Sequence, residues 1–220
     1  MSQERPLKAR MTHPSFQRPA FTSRVVPVIV ISEVSQAVPM AHALLAGGID
    51  VMEITLRHRA GLAAIEAVAK LVPDMHVGAG TVTRASEMKD VHAAGARFAL
   101  SPGMSDALVQ AAMDCRLPFM PGVMTPSEVM QARDHGFGLM KLFPAAQAGG
   151  MAMLKALSGP LGDVQFCPTG GVTPENMTDL LKLPNVAMVG GSWLTPADAV
   201  AQQDWARITV LAQQALALVP

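Results

Sequence analysis

The chain is poor in cysteine and has no excess charge of either sign. Its 17 basic and 17 acidic residues cancel at neutral pH, so the charge balance gives no indication of binding to nucleic acid or to an anionic membrane. An anionic ligand must therefore be held by local groups. The two cysteines, Cys115 and Cys167, lie in no metal-ligand spacing, and we interpret them as buried, reduced thiols. Reduced thiols favour a cytoplasmic location.

The sequence also lacks the segments that carry a protein into or across a membrane. No apolar run approaches the roughly 18 residues needed to span a bilayer. Residues 1–24 include basic side chains but no apolar stretch typical of a secretory signal. Because Pro6, Pro14 and Pro19 disfavour one long helix, we predict that residues 1–24 form a loosely ordered or partly helical N-terminal arm.

From residue 25 onward, short apolar runs alternate with Ala-rich stretches of helical period. Eight strands are predicted, at 25–31, 49–54, 76–79, 97–100, 118–120, 139–142, 164–167 and 187–189. Eight helices are predicted near 34–46, 60–70, 84–94, 105–113, 126–134, 149–157, 174–182 and 198–217. This alternation favours one catalytic domain over residues 25–220, a closed parallel (β/α)8 TIM barrel. An open doubly wound sheet is the alternative.

Lys141 is the most informative polar residue, because it lies within the apolar run GLMKLFPA. Burying an ammonium group costs free energy unless it is paired or neutral. A neutral amine is a nucleophile that forms imines with ketones. The alternative is a lysine at a strand end whose ammonium reaches solvent.

Three further polar residues follow apolar runs, at the end of a parallel strand where such folds place their chemistry. Glu53 is a candidate proton shuttle beside Lys141, or else a structural ion-pair partner of Arg57 or Lys141. Arg57 suits a substrate carboxylate, or else it is a solvated loop residue. Thr81 is a candidate hydrogen-bond donor to the same carboxylate, or a helix N-cap.

Two glycine pairs fall after the last two predicted strands. Gly170-Gly171 precedes a helix start at Thr173-Pro174, and Gly190-Gly191 is followed by Ser192. Glycine lets backbone N–H groups approach an anion, and barrels often bind phosphate in these two loops. The alternative is two tight turns that need positive φ. The six histidines show no metal-binding spacing, and no metal or other cofactor is predicted.

Seven strings carry a family resemblance. In order they are VPVIV, ITLR, VGAGTV, SPG, KLFPA, FCPTGGV and GGSWL. Together they closely resemble the 2-keto-3-deoxy-6-phosphogluconate (KDPG) aldolase family, which is also described as acting on 4-hydroxy-2-oxoglutarate (KHG). The sequence departs from the family pattern in KLFPA, where KFFPA is expected. Its N-terminal arm also differs from the helix expected to close the bottom of the barrel.

The resemblance implies a class I aldolase of barrel fold that assembles as a homotrimer and splits KDPG into pyruvate and glyceraldehyde 3-phosphate. In such an enzyme Lys141 would form the Schiff base and Glu53 would act as general acid and base. Arg57 would bind the pyruvate carboxylate with help from Thr81. The other implied site residues are pocket-wall and phosphate-loop positions: Pro102, Phe143, Gly170, Gly171, Gly191 and Ser192.

Other functions remain open. The sequence does not fix the configuration of the substrate at C4, so the 6-phosphogalactonate isomer and unphosphorylated KHG are alternative substrates. A sugar-phosphate isomerase or synthase that uses no imine, a metal-dependent aldolase and a catalytically silent phosphate-binding module are the rivals from other classes.

Overall fold

A computed structural model describes residues 13, 14 and 17–220, and within this part helices follow strands along the chain. The strands are β1 (Val25–Ile29), β2 (Val51–Thr55), β3 (His76–Gly80), β4 (Ala99–Leu100), β5 (Phe119–Met120), β6 (Gly122–Val123), β7 (Leu139–Leu142), β8 (Gln165–Pro168) and β9 (Val189–Gly191). The α-helices are α1 (Ala37–Ala46), α2 (Gly61–Leu71), α3 (Ala85–Ala93), α4 (Asp106–Cys115), α5 (Pro126–His135), α6 (Gly150–Ser158), α7 (Pro174–Leu181), α8 (Ala197–Ala201) and α9 (Trp205–Ala217).

The described strands form two parallel sheets. The larger sheet has six strands in the order β5-β4-β3-β2-β1-β9, and in the smaller sheet β7 lies between β6 and β8. The prediction of a single closed (β/α)8 TIM barrel is therefore wrong. The parallel α/β character of the fold is confirmed, because every pair of neighbouring strands runs parallel.

The first break between the sheets occurs at Pro121, directly after the fifth predicted strand at 118–120, where β5 ends and β6 begins. β5 pairs with β4, whereas β6 pairs with β7. Proline has no backbone N–H to donate to a ladder. The second break lies between β8 and β9, which are linked through isolated bridges from Phe166 to Val186 and from Thr169 to Gly190. Apolar periodicity locates strands, but it does not determine whether neighbouring strands form a continuous ladder.

Several predicted helix boundaries are confirmed by their caps. Thr125 is the N-cap of α5, and its hydroxyl accepts a hydrogen bond from the Glu128 N–H. Thr173 is the N-cap of α7, which places the start of that helix directly after Gly170 and Gly171. The last predicted helix, near 198–217, is divided into α8 and α9, because Asp204 begins a second helix as its N-cap.

Much of the predicted N-terminal arm, namely residues 1–12, 15 and 16, lies outside the described residues. Near its end the arm packs against the amino ends of the strands. Phe21 is buried, with its ring centroid 5.3 Å from that of Phe98. The backbone N–H groups of Thr22 and Ser23 donate to the Asp50 carboxylate at 2.8 and 3.0 Å. In the part of the chain that the structure describes, no helix has the length and hydropathy of a membrane span.

Candidate active site

Lys141 lies in the middle of the smaller sheet. It belongs to β7 and pairs in register with Gly122 on β6 and with Cys167 on β8. The residue is only 4% exposed, so its ammonium does not extend into bulk solvent. The alternative of a solvent-reaching lysine is therefore not what the structure shows. A buried amine of this kind requires a partner or must be neutral.

Glu53 is that partner, and it comes from the other sheet. The Lys141 Nζ donates to Glu53 Oε1 at 3.0 Å, and Glu53 on β2 is 1% exposed. The ion pair predicted as one alternative is thus present, and it joins Glu53 to Lys141 and not to Arg57. Within the described residues, Glu53 Oε2 has no hydrogen-bond partner. One carboxylate oxygen therefore holds the amine while the other is free to carry a proton.

Phe143 and Cys167 lie beside the lysine. The Lys141 Nζ is 5.3 Å from the centroid of the Phe143 ring, within the range of a cation–π interaction. Burial raises the pKa of the Cys167 thiol from 9.0 to about 12. The thiol is therefore protonated at neutral pH, and it adds no second negative charge next to Glu53.

A cavity of about 180 Å³ opens at the carboxyl ends of several strands. The predicted site residues that line it are Arg57, Phe143, Gly170, Gly171, Gly191 and Ser192. Phe143 contributes to this lining and also faces Nζ, so the ring connects the cavity with the buried lysine and glutamate. The cavity thus brings together the candidate carboxylate-binding arginine and both predicted glycine loops.

The loop Gly170-Gly171 lies at the N-terminus of α7. Both glycines have positive φ, 93° and 81°, which glycine adopts readily. The Asn176 side chain accepts from the Thr173 N–H at 3.0 Å and donates to the Gly171 carbonyl at 2.9 Å, which fixes the loop on the helix. The tight turn at Gly170-Gly171 is therefore real, and it also presents a helix N-terminus, which attracts anions, to the cavity. The same alternative is wrong for Gly190-Gly191, because both glycines belong to β9 and neither is among the described glycines with positive φ.

The remaining predicted site residues lie in loops that follow strands: Arg57 after β2, Thr81 after β3 and Pro102 after β4. Arg57 is exposed and lines the cavity, as a loop residue open to a ligand would be. Thr81 directly follows β3 and has φ 61°. It is not the N-cap of α3, because Arg84 occupies that position. The lining of the cavity includes neither Thr81 nor Pro102.

Some residues around the site were not singled out by the sequence. Thr169 is buried and lines the cavity, and its position at the end of β8 was the signal that could have identified it. Val28 and Val30 also contribute to the lining, although valines within a predicted strand carry no sign of a binding role. In the residues that the structure describes, no group of three or more His, Cys, Asp or Glu side chains is placed to hold a metal ion.

The fold and the cavity are those of a parallel α/β enzyme, with a buried lysine–glutamate pair next to an opening at the carboxyl ends of the strands. Residues 19–211 match the KDPG and KHG aldolase family. The chain belongs to this family, and it is a carbon–carbon lyase. The family resemblance inferred from the seven sequence strings is thereby confirmed.

Individual relatives agree with this assignment. The chain is 52% identical to a 2-dehydro-3-deoxy-phosphogluconate aldolase of Pseudoalteromonas atlantica, over 88% of this chain and 90% of the relative. It is 49% identical to a KHG/KDPG aldolase of Escherichia coli, over 89% and 92% of the two chains. Among solved structures, it is similar to a KDPG aldolase from Legionella pneumophila that holds pyruvate captured at low pH as a covalent carbinolamine intermediate. That similarity has a TM-score of 0.85 and 45% identity, and covers 93% of this chain and 96% of the other.

Proposed function

We propose that this aldolase cleaves KDPG to pyruvate and glyceraldehyde 3-phosphate through an imine on Lys141. The observation that carries the proposal is the hydrogen bond of 3.0 Å between the buried Lys141 Nζ and Glu53 Oε1. A proton that moves along this bond leaves a neutral amine and a carboxylic acid. The amine is then a nucleophile for the ketone, and the acid can return the proton where the reaction needs it.

Imine formation uses both members of the pair. The neutral Lys141 Nζ attacks C2 of the substrate, and the proton that Nζ then loses passes to the former ketone oxygen to give a carbinolamine. Glu53 then supplies a proton to the departing hydroxyl, which leaves as water, and a positively charged iminium remains. The ring of Phe143, 5.3 Å from Nζ, presents its electron-rich face to this new charge and stabilises it.

Carbon–carbon cleavage follows from the iminium. The Glu53 carboxylate accepts the proton of the C4 hydroxyl, the C3–C4 bond breaks, and its electron pair moves into the iminium to form an enamine. Glyceraldehyde 3-phosphate leaves as the aldehyde product. Protonation of the enamine at C3 gives the pyruvate iminium, and addition of water releases pyruvate and restores the Lys141 amine. Glu53 changes between base and acid in these steps, which its free Oε2 atom permits.

The two ends of the substrate are held by different groups in this proposal. Arg57 binds the C1 carboxylate as a bidentate partner, and Thr81 assists it. The phosphate lies against Gly170, Gly171, Gly191 and Ser192, which line the cavity, and the N-terminus of α7 favours its negative charge. Pro102 and Phe143 form part of the wall between these ends.

A comparison of substrates tests this assignment, with pyruvate release as the measurement. KDPG, its 6-phosphogalactonate isomer and unphosphorylated KHG are each supplied to the wild type and to Gly171→Ala. A Cβ atom at Gly171 would lie 2.5 Å from the Cβ of Ala146, so the substitution displaces the loop. We expect KDPG to be the best substrate, and Gly171→Ala to raise its KM about tenfold, a loss of about 1.4 kcal/mol of binding.

The control is Gly138→Ala, because an added Cβ there meets nothing within 4 Å. It should leave the kinetic constants of both KDPG and KHG unchanged. Cleavage of KHG, to pyruvate and glyoxylate, should be affected little by Gly171→Ala, since KHG carries no phosphate. An equal loss for KDPG and KHG in Gly171→Ala would contradict phosphate binding at this loop.

The oligomeric state and the cellular location of the enzyme are proposed on separate grounds. We propose that the enzyme is a homotrimer, as the family resemblance implies, and that it functions in the cytoplasm. Both cysteines are free thiols, which suits a reducing compartment. Sedimentation equilibrium over a range of protein concentrations tests the trimer, and a monomer at micromolar concentration would contradict it.

A further inference from the structure

Gly80, the last residue of β3, lies directly against the side chain of Glu53. β3 and β2 are neighbours, with Gly78 opposite Glu53 and Gly80 opposite Thr55. A Cβ atom added at Gly80 would overlap Glu53 Oε1, and it would lie 2.6 Å from Cγ and 2.7 Å from Cδ of the same side chain. The glutamate therefore fills the space that any side chain at position 80 would need.

The backbone does not require glycine at this position. Gly80 is absent from the described residues with positive φ, so alanine can adopt its strand conformation without strain. The three nearest atoms to the added Cβ all belong to Glu53. The need for glycine therefore comes from one carboxylate side chain.

We propose that Gly80 is a positioning residue for the aldol cleavage. Because it has no side chain, Glu53 lies across β3 and brings Oε1 to 3.0 Å from the Lys141 Nζ. A methyl group at position 80 displaces the carboxylate from the amine by a distance on the order of 1 Å, and a displacement of that size costs about 10²-fold in rate. This inference rests on the proposed function of Lys141 and Glu53.

The first test is the rate of Gly80→Ala with KDPG. We expect kcat to fall about 10²-fold, with KM within about threefold of the wild-type value because the glycine loops of the cavity are untouched. In a Glu53→Gln background the same substitution should lower kcat no further, since the proton carrier is already absent. If Gly80→Ala acted by loosening the fold in general, it would lower kcat by the same factor in the wild-type and the Glu53→Gln backgrounds. That result would overturn the proposal.

Thermal unfolding gives a second, independent readout. Gly80→Ala should lower Tm in the wild type, because the methyl group collides with Glu53. In a Glu53→Ala background it should not lower Tm, because the colliding atoms have been removed. If Gly80→Ala alone does not fold, the double variant must still fold as well as Glu53→Ala. An equal loss of Tm in both backgrounds contradicts the inference.

Gly78→Ala is the matched control on the same strand. Its added Cβ would meet the ring of Phe98, at 2.6 Å from Cδ2, and so disturbs the core and not the carboxylate. It should lower Tm with or without Glu53, and its kcat per folded molecule should remain near the wild-type value.

Borohydride reduction with pyruvate separates the two proposals. A wild type that forms no reduced adduct on Lys141 contradicts the proposed function. A wild type that forms the adduct, together with a Gly80→Ala variant of undiminished kcat, contradicts the role of Gly80 alone.

Discussion

Lys141 and Glu53 are separated by 88 residues in sequence, and their side chains meet at 3.0 Å. Each residue comes from a different sheet, since Lys141 lies on β7 and Glu53 on β2. Both are almost completely buried, so the pair interacts in an environment from which water is largely excluded. Such a pair is costly to build and is weak evidence for stability, which points to chemistry as the reason for it.

Glu53→Gln should slow cleavage of KDPG by about 10²- to 10⁴-fold, the usual contribution of a positioned general acid or base. The amide has the size of the carboxyl group but cannot carry its proton. Steady-state kinetics with a coupled assay for pyruvate provides the measurement. The matched control is Glu66→Gln on α2, an exposed glutamate whose partner is Lys70. It should retain the wild-type rate, and a wild-type rate in Glu53→Gln would refute the assignment.

Thr81 should be a position at which a substitution lowers the activity without lowering the stability. A β-branched residue at φ 61° is strained by roughly 1–3 kcal/mol. Thr81→Gly relieves this strain and removes the hydroxyl proposed to assist Arg57. We expect kcat/KM to fall while the free energy of unfolding in urea does not. A stability loss with unchanged kcat/KM would show that the conformation serves the fold alone.

Cys167 should make the protein less stable as the pH becomes alkaline. Burial raises the pKa of this thiol to about 12, from 9.0. The unfolded chain loses the thiol proton above about pH 9, whereas the folded chain retains it, so the folded state is penalised progressively between these two values. The contribution of the protonated Cys167 thiol to stability is therefore fully present below about pH 9, and it decreases as the pH rises towards 12.

Cys167→Ala removes this dependence, although it also leaves a small cavity. Between about pH 8 and about pH 10.5, the wild type should lose on the order of 2 kcal/mol of unfolding free energy more than the variant does. Urea denaturation at the two pH values measures the difference, and Cys115→Ala is the control because Cys115 is only partly buried. Parallel losses in the wild type and Cys167→Ala would show that the thiol ionises without penalty.

Asp50 should anchor the end of the N-terminal arm. Burial alone would raise the pKa of this carboxyl, but hydrogen bonds from Thr22 and Ser23 outweigh burial and hold the pKa below 3.8. The stabilisation that ionised Asp50 provides is complete above the pKa of this carboxyl in the unfolded chain. It is lost as the pH falls through the lower pKa of the carboxyl in the folded chain. Asp50→Asn should lower the free energy of unfolding by about 1 kcal/mol at neutral pH.

Acid titration of the same two proteins provides the check on Asp50. The difference between wild type and Asp50→Asn should narrow as the pH falls below about 4, because the carboxyl is protonated first in the unfolded wild-type chain and in the folded chain only at its lower pKa. A difference that stays constant as the pH falls below about 4 would mean that the charge of Asp50 contributes nothing to holding Thr22 and Ser23.

The sequence located the buried lysine and glutamate better than it predicted the connectivity of the sheets. Lys141 could be identified because a charged residue inside LMKLF is costly to bury. Glu53 could be identified because it lies within an apolar run near its end. Neither pattern contains a distance, so the contact between them had to come from the structure.

Features that depend on contacts between distant residues could not be predicted from the sequence. Gly80 stands in a string of small residues, and its role becomes visible when its neighbour Glu53 is known. Both cysteines are predicted to be buried, which is correct for Cys167 and wrong for Cys115, which is only partly buried. The position of Cys167 beside Lys141 depends on strand pairing and is not contained in the sequence pattern. Pro121 indicates a break in the ladder, because proline has no backbone N–H to donate. The alternation of eight strands with eight helices nevertheless favours a continuous sheet, and alternation contains no information on pairing.

Reduction of the enzyme with borohydride in the presence of pyruvate is the most direct test of imine formation on Lys141. We expect a stable adduct with the mass of one reduced pyruvate, located on Lys141 by peptide mapping, and no adduct in Lys141→Met. An enzyme that cleaves KDPG at full rate but yields no adduct, or yields it on another lysine such as Lys155, would contradict the Schiff-base mechanism on Lys141.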